Sequence, residues 1–243
     1  MDLDKLPLGK KTTYPNKYDP SLLVSISRKE SRVRTGISNE ANLFFGLDAW
    51  TAYELSWLDL EGIPKNGVLY ASYNSSSERF IESKSLKLYL NSINSKKFDT
   101  PKDLLTLIKN DLEQCISDDV DIEIRNSPKK FIQESKSSDL LKSSTENINE
   151  DEPWVNASRV SEELSCDVFR SLCPVTGQPD WATIRINYSG RQINRRKLLK
   201  YLLNFRNMQA FHEECVEKIF IDVKRFCQPE DLTISAHYLR RGG

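Results

Sequence analysis

A thiol and a carboxyl group stand seven residues apart in SLCPVTGQPDWATI, residues 171–184. Cys173 is followed at once by Pro174, and Asp180 is preceded by Pro179. Each proline fixes its own φ, so the stiffened segment predicts a set relation between Cys173 and Asp180, just before a strand. Even a small thiolate fraction makes cysteine a strong nucleophile. A neighbouring carboxyl group can take the thiol proton and later give one back, which is general acid–base work and is efficient only if burial raises its pKa. The plain alternative is a structural cysteine beside a turn.

The tetrapeptide ESKS occurs twice, at 82–85 and at 134–137. Only the first is followed by LKLY and a helical apolar stripe, and it is preceded by ERFI, read as the end of a strand or loop. A strand running into a helix start brings backbone N–H groups and serine hydroxyls towards an anion, and Lys84 adds charge. An ordinary helix cap followed by a solvated lysine is the competing reading. The second copy lies in a Ser/Lys-rich tract and reads as coincidence.

The elements that must carry these residues repeat a plan. In the first half AYELSWLDL and GVLYASYN read as strands around the turn EGIPKNG. SLKLYLNSI has helical spacing at Leu86, Leu90 and Ile93, with Tyr89 on the same side. DTPKDLLTLIKNDLEQCI is a second helix, capped by Thr100 with Pro101 in its first turn and Asp103 three after the cap. Its stripe is Leu104, Ile108, Leu112 and Cys115, and DVDIEIR alternates as a strand. In the second half WATIRINY is a strand, RRKLLKYLLNF and FHEECVEKIFIDVKRF are helices, and DLTISAHYLR is a closing strand. The resulting expectation is α+β, with an N-terminal module over 1–125, a connector over 126–153 rich in Ser, Lys, Asn and acids, and a C-terminal module over 154–243.

Composition narrows the function. Lys plus Arg and Asp plus Glu number 35 each. That balance argues against a polynucleotide surface but suits a small ligand with a few phosphates. Nine glycines include no GxGxxG or GxxxxGK[ST] pattern. The five cysteines are an odd number in no framework spacing, which suits a reducing compartment. With no CxxC and no HExxH, no metal is expected. Nothing resembles a signal peptide or a membrane span, so a cytoplasmic protein is expected.

Four stretches in order carry a resemblance: ESKSLKLYLNSIN at 82–94, CPVTGQPDWATI at 173–184, FHEECVEKIF at 211–220 and YLRRGG at 238–243. Together with LGKKTTYPNKYDPSLL near the start, they resemble the QueF-type NADPH-dependent nitrile reductases of queuosine biosynthesis, which convert 7-cyano-7-deazaguanine to 7-aminomethyl-7-deazaguanine. The order resembles the two-module branch, which implies tandem tunnelling-fold units, each an antiparallel sheet with two helices on one face. The resemblance implies that Cys173 attacks the nitrile carbon to form a thioimide and that Asp180 donates a proton to nitrogen. It assigns substrate contacts to Ile81, Glu82, Ser83, His212 and Glu213, and NADPH contacts to Ser83, Lys84, Arg241 and Gly242. On residues alone, His212 and Glu213 read as helix-surface groups and Arg241 as part of a basic tail. Cys173 and Cys215 are a candidate reversible disulfide, against a core role for Cys215. A homodimer with a small-molecule substrate and no direct nucleic-acid contact is expected. A thiol hydrolase and a non-catalytic purine- or pterin-binding module are the alternatives.

Overall fold

The computed structural model describes residues 17–37, 45–127, 138–140, 148–149 and 151–239. The second ESKS copy and the expected cofactor residues Arg241 and Gly242 lie outside them. The chain divides into two compact units, one of residues 1–34 and 38–132, the other of residues 35–37 and 133–243.

The first unit contains β1 (Ser25–Ser27), α1 (Arg28–Arg34), β2 (Leu47–Leu58), β3 (Pro64–Asn74), β4 (Arg79–Ile81), α2 (Ser83–Ile93), α3 (Pro101–Ile116) and β5 (Asp121–Arg125). An antiparallel sheet runs in the order β2-β3-β5, and β1 pairs separately with β4. The helix starts follow the chemistry of their caps. Thr100 Oγ1 accepts the Asp103 N–H, and Asp103 Oδ2 accepts the Thr100 N–H and hydroxyl, so two orphan donors are satisfied reciprocally. The α3 stripe closes on Ile116, fully buried, rather than on Cys115, which is only half-buried. Steps of four from Leu104 reach 116, and residue 115 is rotated off that line.

The second unit contains β6 (Ser138–Leu140), β7 (Val155–Leu172), β8 (Pro179–Ile193), α4 (Arg195–Leu203), α5 (His212–Cys227) and β9 (Asp231–Tyr238). Its sheet runs β6-β7-β8-β9, antiparallel except for the short parallel pairing of β6 with β7. One face of β8, carrying Ala182, Ile184, Ile186 and Tyr188, packs with Leu198, Leu199 and Leu202 of α4 and Cys215, Ile219 and Val223 of α5 into one core. Both units are α+β with helices against an antiparallel sheet, as expected. The long strand β7 was not expected. Register shifts between Val155 and Arg159 and between Cys166 and Phe169 break its alternation, so no period-2 pattern runs through VNASRVSEELSCDVFRSL.

The two units repeat each other bond by bond. Tyr73 Oη accepts the Ile81 N–H (3.0 Å) just before α2, and Tyr188 Oη accepts the Ile193 N–H (2.9 Å) just before α4. Tyr89 donates to Asp111 Oδ2 across α2 and α3, and Tyr201 to Asp222 Oδ2 across α4 and α5, each at 2.6 Å. These residues stand at the same positions counted from their helix starts. Leu58, at the end of β2, bridges Lys97, and Leu172, at the end of β7, bridges Gln209. The tandem plan read from element order therefore extends to individual hydrogen bonds.

Candidate active site

Residues 173–178 close the hairpin between β7 and β8. Leu172 pairs with Pro179, and Ser171 with Asp180. The Cys173 N–H donates to the Gln178 carbonyl (2.8 Å), and the Gly177 N–H to the Cys173 carbonyl (2.9 Å). Gly177 has φ +66°, a left-handed conformation in which a Cβ would be strained. On the far side the Leu172 N–H donates to the Met208 carbonyl and the Ala210 N–H to the Leu172 carbonyl. The loop base is thus tied to the segment that leads into α5.

Strand alternation puts Phe169, Ser171 and Cys173 on the buried face, with Asp180, Ala182 and Ile184 opposite. Cys173 is 2% exposed and Asp180 3%. Asp180 sits opposite Ser171, so Cys173 is its diagonal neighbour, a relation with Cα atoms about 7–8 Å apart in an antiparallel pair. The stiff loop expected from the prolines is thus held mainly by backbone bonds and by Gly177.

The structure adds His212, the first residue of α5. Its Nε2 lies 3.5 Å from Asp180 Oδ2, and its ring stacks on Tyr238 at 3.8 Å between centroids and 6° between planes. The N-terminal end of α5 favours a carboxylate beside it. Beneath lie the buried Ser171 Oγ and Tyr238 Oη, with the fully buried Cys215 near enough to each for a thiol hydrogen bond. Burial pushes the Cys215 thiol up to about 12 and the Tyr238 phenol well above its ordinary value. Glu213 is half-buried and adds to both shifts through its charge. Glu214, its neighbour, caps α5 by accepting the Phe211 N–H at 2.7 Å. Cys173 and Cys215 are both free thiols.

In the first unit, Ile81, Glu82, Ser83 and Lys84 occupy the junction of β4 with α2. Ile81 and Glu82 are buried, Ser83 is exposed and Lys84 half-buried. Glu82 Oε1 accepts the Lys84 N–H (2.9 Å) and Oε2 the Ser85 N–H (2.7 Å), so Glu82 caps its own helix. The Ser83 hydroxyl also reaches Oε1, at 3.5 Å, so of a carboxylate's about four acceptor sites one stays open. Burial raises the Glu82 pKa, with the two N–H bonds and Lys84 pulling the other way. The first turn of α2 carries no acid, and its exposed hydroxyl and lysine form a donor set suited to a phosphate.

Each unit therefore gathers its own expected residues: Ile81, Glu82, Ser83 and Lys84 in the first, Cys173, Asp180, His212 and Glu213 in the second. Sequence reasoning overlooked Tyr238 and Ser171. Tyr238 was in reach, because Leu232, Ile234, Ala236 and Tyr238 alternate along β9 and place it on the packed face. Ser171 carried no signal without the register of β7. Among the described residues no group of three His, Cys, Asp or Glu could hold a metal ion, and no helix is long and apolar enough to cross a membrane.

Comparison with known proteins bears directly on this arrangement. Residues 14–124 match the family model described as nitrile reductase, 7-cyano-7-deazaguanine-reductase N-term, and residues 179–243 match that of QueF-like protein. The chain is 40% identical over 247 residues to the NADPH-dependent 7-cyano-7-deazaguanine reductase of Hydrogenovibrio crunogenus, covering 99% of this chain and 89% of the relative. It is 41% identical over 249 residues to the enzyme of that name from Desulfotalea psychrophila, covering 98% and 89%. The chain belongs to the QueF family. In this QueF chain, Ile81 to Lys84 fall in the first matched stretch, and Asp180, His212 and Glu213 in the second. Cys173 falls between the two stretches, inside the span aligned with both relatives.

Proposed function

We propose that this chain reduces the nitrile of 7-cyano-7-deazaguanine to the aminomethyl group, with NADPH as reductant, through a thioimide on Cys173. The observation that carries the reading is a buried thiol diagonal to a buried carboxyl group on one hairpin, in a chain of the QueF family.

The Cys173 sulfur bonds to the nitrile carbon as one C–N π bond breaks. The thiol proton is taken up by Asp180 and a proton is delivered to nitrogen, so S–H adds across C≡N with atoms balanced. His212, against the Asp180 carboxyl group, holds it in place and is itself held by its stack on Tyr238. NADPH supplies hydride when bound, once for each of the two reductions between nitrile and amine. The near-complete burial of Cys173 and Asp180 keeps water from the carbon–nitrogen double bond between those reductions. Substrate-reading roles go to Ile81, Glu82, Ser83, His212 and Glu213. A carboxylate can accept the ring N–H and the exocyclic amine of a deazaguanine together. Ser83 and Lys84, at the start of α2, are given a cofactor-phosphate role, and Arg241 and Gly242 a cofactor role. Self-association as a homodimer is supported by the open edge of β9, which pairs only with β8 among the described residues. With balanced charge and no span among the described helices, a cytoplasmic enzyme acting on a free base rather than on nucleic acid fits best.

The test mixes protein, nitrile and NADPH and follows reduced-cofactor absorbance, with mass spectrometry of protein and nitrile alone. Cofactor oxidation with amine formed, and a Cys173 adduct missing in Cys173→Ala, are expected. A carboxylic acid product without cofactor oxidation would make the chain a hydrolase instead.

A further inference from the structure

On the other face of the same hairpin, Arg170 stands opposite Trp181 in register. Arg206, in the 3-10 turn after α4, approaches the same ring. Both guanidinium carbons lie 5.9 Å from the Trp181 centroid, within cation–π range. Trp181 is 40% exposed. The Nε atoms of Arg170 and Arg206 are shut off from solvent and have no hydrogen-bond partner, and neither guanidinium forms an ion pair among the described residues. Two like charges thus converge on one exposed ring with no ion pair to either among the described residues.

The sister unit shows that the fold does not require this. By the matched hairpins and bridges, Ser56, Asn66 and Asn94 hold the places of Arg170, Trp181 and Arg206. There Ser56 donates to Asn94 Oδ1 at 2.6 Å, so the two neutral residues in the arginines' places satisfy each other. The convergence of these positions is architectural, whereas the two charges and the indole belong to the second unit alone. A pair of guanidinium forks suits a tetrahedral phosphate, which can accept two parallel bonds from each. Trp181 directly follows Asp180, and Arg170 directly precedes Ser171, so an anion held here flanks the thiol loop.

We propose that Arg170 and Arg206, steadied on Trp181, form a phosphate clamp for the nicotinamide dinucleotide. This rests on the function proposed above and adds a contact point to it, separate from Ser83, Lys84, Arg241 and Gly242.

The experiment titrates the full chain with NADP+, NAD+ and inorganic phosphate, by calorimetry and by tryptophan fluorescence. The proteins are the parent, Arg170→Ala, Arg206→Ala, the double variant, Arg170→Lys and Trp181→Phe. Each arginine loss is expected to raise the NADP+ Kd about 10- to 100-fold, as for a charge-assisted bond, with Arg170→Lys recovering part of it. Trp181→Phe is expected to remove most of the fluorescence response. Weakening for NADP+ alone assigns the clamp to the 2′-phosphate, and weakening for NAD+ as well assigns it to the diphosphate; both support the proposal. An unchanged NADP+ Kd in the double variant overturns it, as does a response to inorganic phosphate as tight as that to NADP+. A changed sedimentation coefficient with unchanged Kd makes the cluster an interface between copies of the chain and also overturns it. Failure of the parent to bind NADP+ at all removes the proposed function together with the clamp.

Discussion

Replacing Asp180 by asparagine keeps the side chain's size and its place opposite Ser171, but removes the group able to carry a proton between Cys173 and the substrate nitrogen. The hairpin is held by backbone bonds at Cys173, Gly177 and Leu172, none of which uses the carboxyl group. Folding should therefore be little affected, and the loss should fall on chemistry. A positioned proton donor contributes about 10²- to 10⁴-fold, which at 1.36 kcal/mol per decade is about 3–5 kcal/mol of barrier. The measurement is turnover at saturating nitrile and NADPH, with thermal unfolding as the control for fold and calorimetry as the control for substrate binding. Turnover within about threefold of the parent, below the smallest contribution a general acid makes, would refute the role given to Asp180. A large drop in Tm would refute the claim that the backbone alone sets the loop.

Tyr89→Phe and Tyr201→Phe each remove a 2.6 Å hydrogen bond to a carboxylate between paired helices. Each should cost about 1.5–3 kcal/mol in urea unfolding, and near-zero values would mean these bonds do not hold the helix pairs. Glu82→Gln leaves one acceptor for two helix N–H groups, and should destabilise by about 0.5–2 kcal/mol while raising the substrate KM. An unchanged KM would remove Glu82 from substrate binding. The Cys215 and Cys227 thiols are raised by burial from 9.0 to about 12, so they bind their protons more tightly folded than unfolded. Their contribution to stability is present below pH 9 and is lost as pH climbs towards 12, and Cys215→Ala should flatten that alkaline fall. In native protein at neutral pH both should resist iodoacetamide, as peptide mapping would show.

Much of this was legible from residue order because local signals and tertiary packing agreed. Thr100, Pro101 and Asp103 announce a helix start through bonds that span three residues, and Ile184, Ile186 and Tyr188 face the core as their alternation requires. The hairpin carrying Cys173 and Asp180 was legible as a stiff loop for the same reason. The rest depended on contacts between distant residues. His212 meets Asp180 only because the Leu172–Gln209 bridge draws the start of α5 to the loop base, and no spacing rule links positions 180 and 212. The bulges hid β7, and with it the opposition of Arg170 and Trp181 across the hairpin. The α3 stripe slipped by one residue, because positions 115 and 116, at steps of three and four from Leu112, are both readily buried types and only the helix's rotation separates them.

The hairpin turn of the first unit, residues 59–63, has the same frame as 173–178. The Asp59 N–H donates to the Ile63 carbonyl and the Gly62 N–H to the Asp59 carbonyl, each at 3.0 Å, and Gly62 has φ +86°. Asp59 then holds the place of Cys173 and Lys65 that of Asp180, and the two form an ion pair at 3.2 Å. A bend secured by main-chain atoms leaves the flanking side chains free to diverge. One copy has kept a salt link with no reactive atom in it, while the other carries sulfur and acid at no architectural penalty. Exchanging the two pairs between copies should therefore yield a well-folded protein whose chemistry moves, or vanishes, with the residues rather than with the bend.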